Sequence, residues 1–179
     1  MSMSFKRRLP IPQEIREGMP LSPELAAKKV AFDEKVARVI TGEDPRKLLV
    51  IGPCSADRED SVLEYVTRLA KLAEDVEDRL VIVPRVYTAK PRTKGTGYKG
   101  LLHSPDPDAK ADVLEGVKAI RHMHLAVAEE TGFFTADEML YPSNFSTSST
   151  CSPTSRLAPA PSRTRSTASS PPASPCPLA

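Results

Sequence analysis

The sequence predicts a parallel α/β fold, because short apolar runs alternate with longer segments of helical periodicity. The apolar runs at 47–51, 80–87 and 133–139 have the length of strands, and a helical segment precedes each of them. This order favours right-handed βαβ connections, either in a barrel of βα units or in an open doubly wound sheet. Three strands complete neither architecture, since a barrel of eight βα units takes roughly 250 residues.

The first predicted helix begins at Ser22 and Pro23, a cap residue followed by proline at the first helical position. Gly42 marks its end, and the apolar residues between them recur at helical spacing: Leu25, Phe32, Val36, Val39 and Ile40. The run at 47–51 follows. Its unbroken apolar character predicts a strand that is buried on both faces.

Two further helices separate the remaining strands. The second helix is predicted from Asp60 by the spacing of Val62, Val66, Leu69, Ala70 and Ala73, and it leads to the strand at 80–87. The third helix follows a polar loop and is marked by Val113, Val117, Ile120 and Val127. Gly132 ends it, and the strand at 133–139 comes next.

Composition excludes several classes of protein. The chain of 179 residues is 40% hydrophobic and 27% charged, as globular proteins are. It has no apolar run near the roughly 18 residues of a membrane span, so a cytoplasmic location is expected. Basic and acidic residues nearly balance before the tail, which argues against nucleic-acid binding. Cys54, Cys151 and Cys176 are too few and too irregularly spaced for a disulfide framework or a zinc knuckle.

The composition changes at Phe145, after which Ser, Thr, Pro, Ala and Arg predominate, and disorder is expected over 145–179. One interpretation is a flexible regulatory tail. The other is a frameshift after about Pro142, because residues 155–160, read one base out of frame with free third bases, can encode Val-Ala-Leu-Gly-Ala-Arg. A peptide of that kind is globular in character, and we therefore favour the frameshift.

Three groups of candidate site residues lie at the carboxyl ends of the predicted strands, where α/β barrels build their sites. Cys54 follows the first strand, where it is either a metal ligand or a small buried residue of a turn. Arg85, Lys90 and Arg92 lie at the carboxyl end of the second strand, with Arg85 still inside it and Lys99 soon after. They suit a phosphorylated anion unless they form a solvated basic loop.

Asp137 and Glu138 end the third strand. They could position water or a cation, although solvent-exposed strand-end acids are the alternative that spacing alone favours. The histidines show no metal-ligand pattern, since His122 and His124 point to different helix faces, and we interpret them and His103 as structural.

Four spaced motifs resemble those of the microbial short-form class I 3-deoxy-7-phosphoheptulonate (DAHP) synthases. They are Leu48-Leu49-Val50-Ile51-Gly52-Pro53-Cys54-Ser55, Arg85-Val86-Tyr87, Lys90-Pro91-Arg92-Thr93 and Tyr98-Lys99-Gly100-Leu101. The resemblance runs from about Leu9 to Pro142, and the out-of-frame peptide is similar to the family's next motif. It implies the N-terminal part of a (β/α)8 barrel, about three βα units at 47–144, with an N-terminal helical extension at 1–46.

The resemblance also implies a reaction, the condensation of phosphoenolpyruvate with erythrose 4-phosphate to 3-deoxy-D-arabino-heptulosonate 7-phosphate and phosphate. This is the first step of the shikimate route to the aromatic amino acids, and it needs a divalent metal cation. By resemblance Cys54 is a metal ligand, and Arg85 and Lys90 are catalytic residues that hold phosphoenolpyruvate. The remaining substrate-binding residues implied are Pro91, Arg92 and Thr93, which face erythrose 4-phosphate, together with Lys99 and Glu138.

The family's other metal ligands and phosphate contacts come from later strands, and they have no counterpart after Pro142. Since catalytic metal sites usually present at least three protein ligands, we expect this chain to be inactive by itself. The alternative function is a non-catalytic remnant that binds a phosphate compound or a partner. A sibling enzyme that uses arabinose 5-phosphate is disfavoured by the Lys-Pro-Arg-Thr segment. The intact family member is expected to be a homo-oligomer, and residues 5–12 resemble the extension through which family members associate and sense aromatic amino acids.

Overall fold

A computed structural model describes residues 10–90, 98–106 and 108–137 of the chain. The elements in order are α1 (Pro12–Gly18), α2 (Pro23–Thr41), β1 (Lys47–Ile51), α3 (Glu59–Glu74), β2 (Leu80–Val86), α4 (Val113–Thr131) and β3 (Ala136–Asp137). Within these ranges no helix is both long and apolar enough to cross a membrane. The predicted tail at 145–179 and the end of the third predicted strand lie outside the described residues.

The strands form one parallel sheet, as predicted, and their order in it is β1-β2-β3. Lys47 pairs with Leu80 at the start of the β1–β2 ladder and Ile51 with Pro84 at its end, whereas Val86 pairs with Asp137 at the end of the β2–β3 ladder. Because the strands are parallel, their carboxyl ends lie at the same edge of the sheet. The segments that follow β1, β2 and β3 therefore meet there.

The predicted helix ends are confirmed. The Ser22 hydroxyl accepts a hydrogen bond from the Leu25 amide at 3.2 Å, and Pro23 is the first residue of α2. Gly42 and Gly132 end α2 and α4 in the left-handed conformation, with φ of 80° and 71°. Helix α1 was not predicted, because its seven residues bury only Ile15 and are too short to show an apolar periodicity.

The core lies between the sheet and its helices. Helices α3 and α4 pack on each other and against the end of β2 through the buried side chains of Val62, Val66, Val86, Ile120, Met123 and Val127. Helix α2 covers another part of the sheet, where Val36 packs with Val81 and Val83. The three helices thus hold β2 in the centre of the described fold.

The prediction that β1 is buried on both faces is wrong. Leu49, Val50 and Ile51 are 36%, 43% and 38% exposed, whereas Val81, Ile82 and Val83 of β2 are nearly inaccessible. In the described part of the chain β1 is an edge strand that pairs with β2 alone, and that is why its apolar side chains remain open. Within the described residues, which end at 137, the third strand begins later than predicted. Ala136 and Asp137 pair with β2, whereas the preceding Phe134 packs against Phe32, with ring centroids 5.8 Å apart.

Candidate active site at the carboxyl ends of the strands

The turn that follows β1 approaches the end of β2 closely at Gly52. A Cβ atom on Gly52 would lie 1.6 Å from the carbonyl oxygen of Arg85, so a side chain there would require the backbone to move. Glycine at this position lets the turn after β1 lie directly against the end of β2. Pro53 and Cys54 are thereby brought next to the cationic segment.

Cys54, Arg85 and Lys90, predicted to act at one site, lie together at this edge. The Lys90 ammonium donates a hydrogen bond to the Cys54 carbonyl at 3.3 Å, and its Nζ lies 2.7 Å from Cys54 Sγ. Arg85 Nη1 donates to the Pro53 carbonyl at 3.2 Å. Cys54 is exposed, so the alternative of a small buried turn residue is wrong. The result is an accessible thiol beside two cations.

Tyr87 belongs to the same cluster, although the sequence did not single it out as a site residue. Its ring centroid lies 4.6 Å from Cζ of Arg85 and 5.8 Å from Nζ of Lys90. At these distances, cation–π attraction helps to hold the Arg85 guanidinium and the Lys90 ammonium over the Tyr87 ring. The available signal was the spacing, because residues i and i+2 of an extended segment lie on the same face.

The loop at 98–102 closes against the segment that carries Lys90. The Lys90 amide donates to the Lys99 carbonyl at 3.0 Å, and the Leu102 amide donates to the Thr88 carbonyl at 3.1 Å. Gly100 has φ of 92°, and a Cβ on it would lie 2.3 Å from the Thr88 carbonyl oxygen. The exposed Lys99 thus contacts the site through its backbone.

Tyr98 anchors the same loop. Its hydroxyl lies 3.0 Å from the Ser104 carbonyl and 3.3 Å from that of Asp57, where it can donate its proton. Burial, with the nearby Asp57 charge, raises the pKa of Tyr98 to about 12, so the hydroxyl remains protonated and available as a donor. The loop that contains the motif Tyr98-Lys99-Gly100-Leu101 therefore holds the segment after β2 in place.

Asp137 is buried, and the prediction of a solvent-exposed strand-end acid is wrong for this residue. Its Oδ1 accepts the Thr88 amide at 3.2 Å, and its Oδ2 accepts the Thr88 hydroxyl. His124, also buried, places Nε2 3.7 Å from Asp137 Oδ2 and Nδ1 2.5 Å from Thr135 Oγ1. His122 is exposed and contacts Glu59 instead, so the two histidines lie in different surroundings, as their spacing predicted.

The remaining predicted site residues, Pro91, Arg92, Thr93 and Glu138, lie outside the described residues and stay predictions. In the described ranges no three side chains of His, Cys, Asp or Glu gather as a metal site would require. Cys54 fits a divalent metal as one ligand of a larger set, because its thiol is accessible and follows a strand end. Further ligands must come from elsewhere.

The parallel strands, the helices between them and this strand-end site are those of part of a (β/α)8-barrel protein, of which the described residues form two βα units and a third strand. The solved structure of phospho-2-dehydro-3-deoxyheptonate aldolase from Francisella tularensis SCHU S4 matches it with a TM-score of 0.75 at 24% identity, over 84% of this chain and 44% of that one. The model of the DAHP synthetase I family matches residues 22–157. The chain belongs to that family.

Curated relatives agree with this assignment. The Trp-sensitive phospho-2-dehydro-3-deoxyheptonate aldolase of Enterobacter agglomerans is 41% identical over 129 residues, which are 72% of this chain and 36% of the relative. The Tyr-sensitive enzyme of Escherichia coli K12 is 37% identical over 133 residues, 74% of this chain and 37% of the relative. The chain thus spans little more than a third of the length of these relatives.

Proposed function

We propose that this chain carries the phosphoenolpyruvate-binding part of a DAHP synthase site, which serves the condensation of phosphoenolpyruvate with erythrose 4-phosphate. The observation that supports it best is the convergence of Arg85, Lys90 and Cys54 at one sheet edge. A cytoplasmic location and a homo-oligomeric intact protein, expected from the family resemblance, belong to the same proposal.

The charges suit a small dianionic or trianionic ligand. Arg85 offers a planar fork that can donate two hydrogen bonds to a carboxylate or phosphate, and Lys90 offers a compact ammonium. Both stand over the Tyr87 ring and are tied to backbone carbonyls of the turn after β1, which limits their movement. Cations held in this way lose little conformational entropy when they bind phosphate, and they offset the charge of the anion.

Cys54 is the residue through which the chain would contribute to a divalent metal. When bound, such a metal polarises the aldehyde of the second substrate. One thiolate does not define a coordination geometry, and the family resemblance implies that the other ligands come from later strands. We therefore propose that the 179-residue chain binds phosphoenolpyruvate but does not turn it over, which makes a non-catalytic ligand-binding role the second candidate function.

Isothermal titration calorimetry of the purified chain with phosphoenolpyruvate tests the binding step. Lys90→Met should weaken binding by roughly tenfold or more, because a hydrogen bond to a charged group contributes about 1.5–3 kcal/mol. Lys71→Met is the matched control, since Lys71 is exposed in the last turn of α3 and the same charge is removed away from the site. Absence of binding by the unaltered chain would contradict the proposal.

A second assay separates binding from catalysis. With phosphoenolpyruvate, erythrose 4-phosphate and a divalent metal present, we expect no release of phosphate by the chain. Phosphate release that Lys90→Met abolishes would show that the chain is active by itself, and would refute the non-catalytic role. The same assay on a chain restored in the downstream reading frame should give turnover if the frameshift hypothesis holds.

A further inference from the structure

Lys90 lies on a segment that the β-sheet ladder does not hold. Strand β2 ends at Val86, so Thr88 and Lys90 depend on contacts from other parts of the chain. Backbone groups of the 98–102 loop provide two of these contacts, to the Thr88 carbonyl and to the Lys90 amide. The contact on the β3 side is made by a side chain, the carboxylate of Asp137.

The Asp137 carboxylate binds beyond the last backbone pair that the structure describes. Val86 and Asp137 are partners at the end of the β2–β3 ladder, and the Asp137 side chain reaches two residues further to bind both the amide and the hydroxyl of Thr88. Two hydrogen bonds to one residue fix both its backbone and its rotamer. Thr88 therefore has a defined position from which Ala89 and Lys90 extend toward Cys54.

The Asp137 carboxylate is buried and therefore depends on its hydrogen bonds. The Asp137 side chain is inaccessible to solvent, and an ionisable group at such a place is costly unless hydrogen bonds compensate for lost water. His124 lies behind it, with Nε2 3.7 Å from Oδ2 and with its other ring nitrogen beside Thr135. Alpha-helix α4 and strand β3 thus confine the carboxylate to the rotamer that meets Thr88.

We propose that Asp137, acting through Thr88, is a positioning residue that holds the Lys90 ammonium where a phosphorylated ligand binds. His124 supports it by confining the carboxylate. The inference rests on the proposed function, because it assigns to Lys90 the ligand named there. Asp137 does not itself touch the ligand, so its effect on binding must pass through Lys90.

A double-mutant cycle on phosphoenolpyruvate affinity tests this path, read by protein-detected NMR titration of the full chain, which follows weak affinities. Asp137→Asn and Thr88→Val should each weaken binding by about fivefold to tenfold, but should have little further effect in a Lys90→Met background. A merely structural role predicts equal effects in both backgrounds, and that result would overturn the proposal. Thr88→Ser, which keeps the hydroxyl, should restore affinity close to that of the unaltered chain.

Amide hydrogen exchange without ligand tests the positioning even if the unaltered chain does not bind phosphoenolpyruvate. Asp137→Asn and Thr88→Val should accelerate exchange at the Lys90 amide, whose acceptor is the Lys99 carbonyl. Val66→Ala, a buried α3 substitution in the main core, serves as the control at a matched loss of thermal stability. Equal acceleration of exchange in Val66→Ala would refute the positioning role. If Asp137→Asn and Thr88→Val accelerate exchange as expected but the unaltered chain does not bind phosphoenolpyruvate, only the proposed ligand is refuted.

Discussion

Gly52 shows at the scale of one residue how the site is assembled. A turn is one interpretation of the motif Gly52-Pro53-Cys54 from sequence, and the structure gives the glycine a steric role there, because a Cβ on it would meet the Arg85 carbonyl. A side chain would force apart the two segments that carry Cys54 and Arg85. A substitution at Gly52 would therefore affect both the stability of the fold and the geometry of the site.

Gly52→Ala should destabilise the fold by about 2–4 kcal/mol, since a methyl group must displace backbone rather than a mobile side chain. Gly18→Ala is the matched control, because nothing lies within 4 Å of the Cβ it would add at the end of α1. Urea unfolding followed by circular dichroism measures both changes. Equal midpoints for the two variants would show that the turn after β1 does not pack against β2 in this way.

The site residues that sequence reasoning found are those whose position follows from topology. Arg85 lies at the carboxyl end of β2, and Cys54 and Lys90 follow β1 and β2. Because parallel strands end at a common edge, the proximity of these residues could be expected from element order alone. Asp137 also follows from strand position, but its burial does not. That burial depends on Thr88 and His124, which only the packed structure brings to its carboxylate.

At the scale of elements, β1 and β2 have similar apolar sequences and different surroundings. Val50 and Val83 are direct partners in the parallel register, yet Val83 is fully buried and Val50 is 43% exposed. The order of strands and helices was predictable, because apolar periodicity encodes which residues face a core. The burial of β1 was not predictable, because it depends on a neighbour outside the strand itself.

This contrast predicts different costs for one substitution at two paired positions. Val83→Ala should lower the free energy of unfolding by about 2 kcal/mol, because two methyl groups leave a close-packed cluster with Val36 and Val81. Val50→Ala should cost less than about 1 kcal/mol, since its side chain is already partly in water. Chemical denaturation compares the two, and a Val50→Ala cost as large as that of Val83→Ala would show that β1 is covered in solution.

At the scale of the whole molecule, the described residues leave an apolar strand open along one side of the sheet. Leu49, Val50 and Ile51 are all more than a third exposed, and β1 pairs with a strand on one edge alone within the described ranges. Unpaired edges with exposed apolar side chains promote association with other chains, because they offer both backbone hydrogen bonds and apolar area. We therefore expect the purified chain to self-associate through this edge.

Sedimentation equilibrium should show an average mass that rises with protein concentration, and Val50→Lys should reduce that rise because a charged side chain on an edge strand opposes pairing. Val30→Lys provides the matched control, since Val30 is 58% exposed on α2 and the same charge is added away from the sheet. If both variants reduce association equally, added charge rather than the β1 edge is responsible. A chain that stays monomeric at every concentration would mean that the β1 edge is protected in solution. In that case Val50→Ala should also lower the free energy of unfolding as much as the loss of a buried valine does.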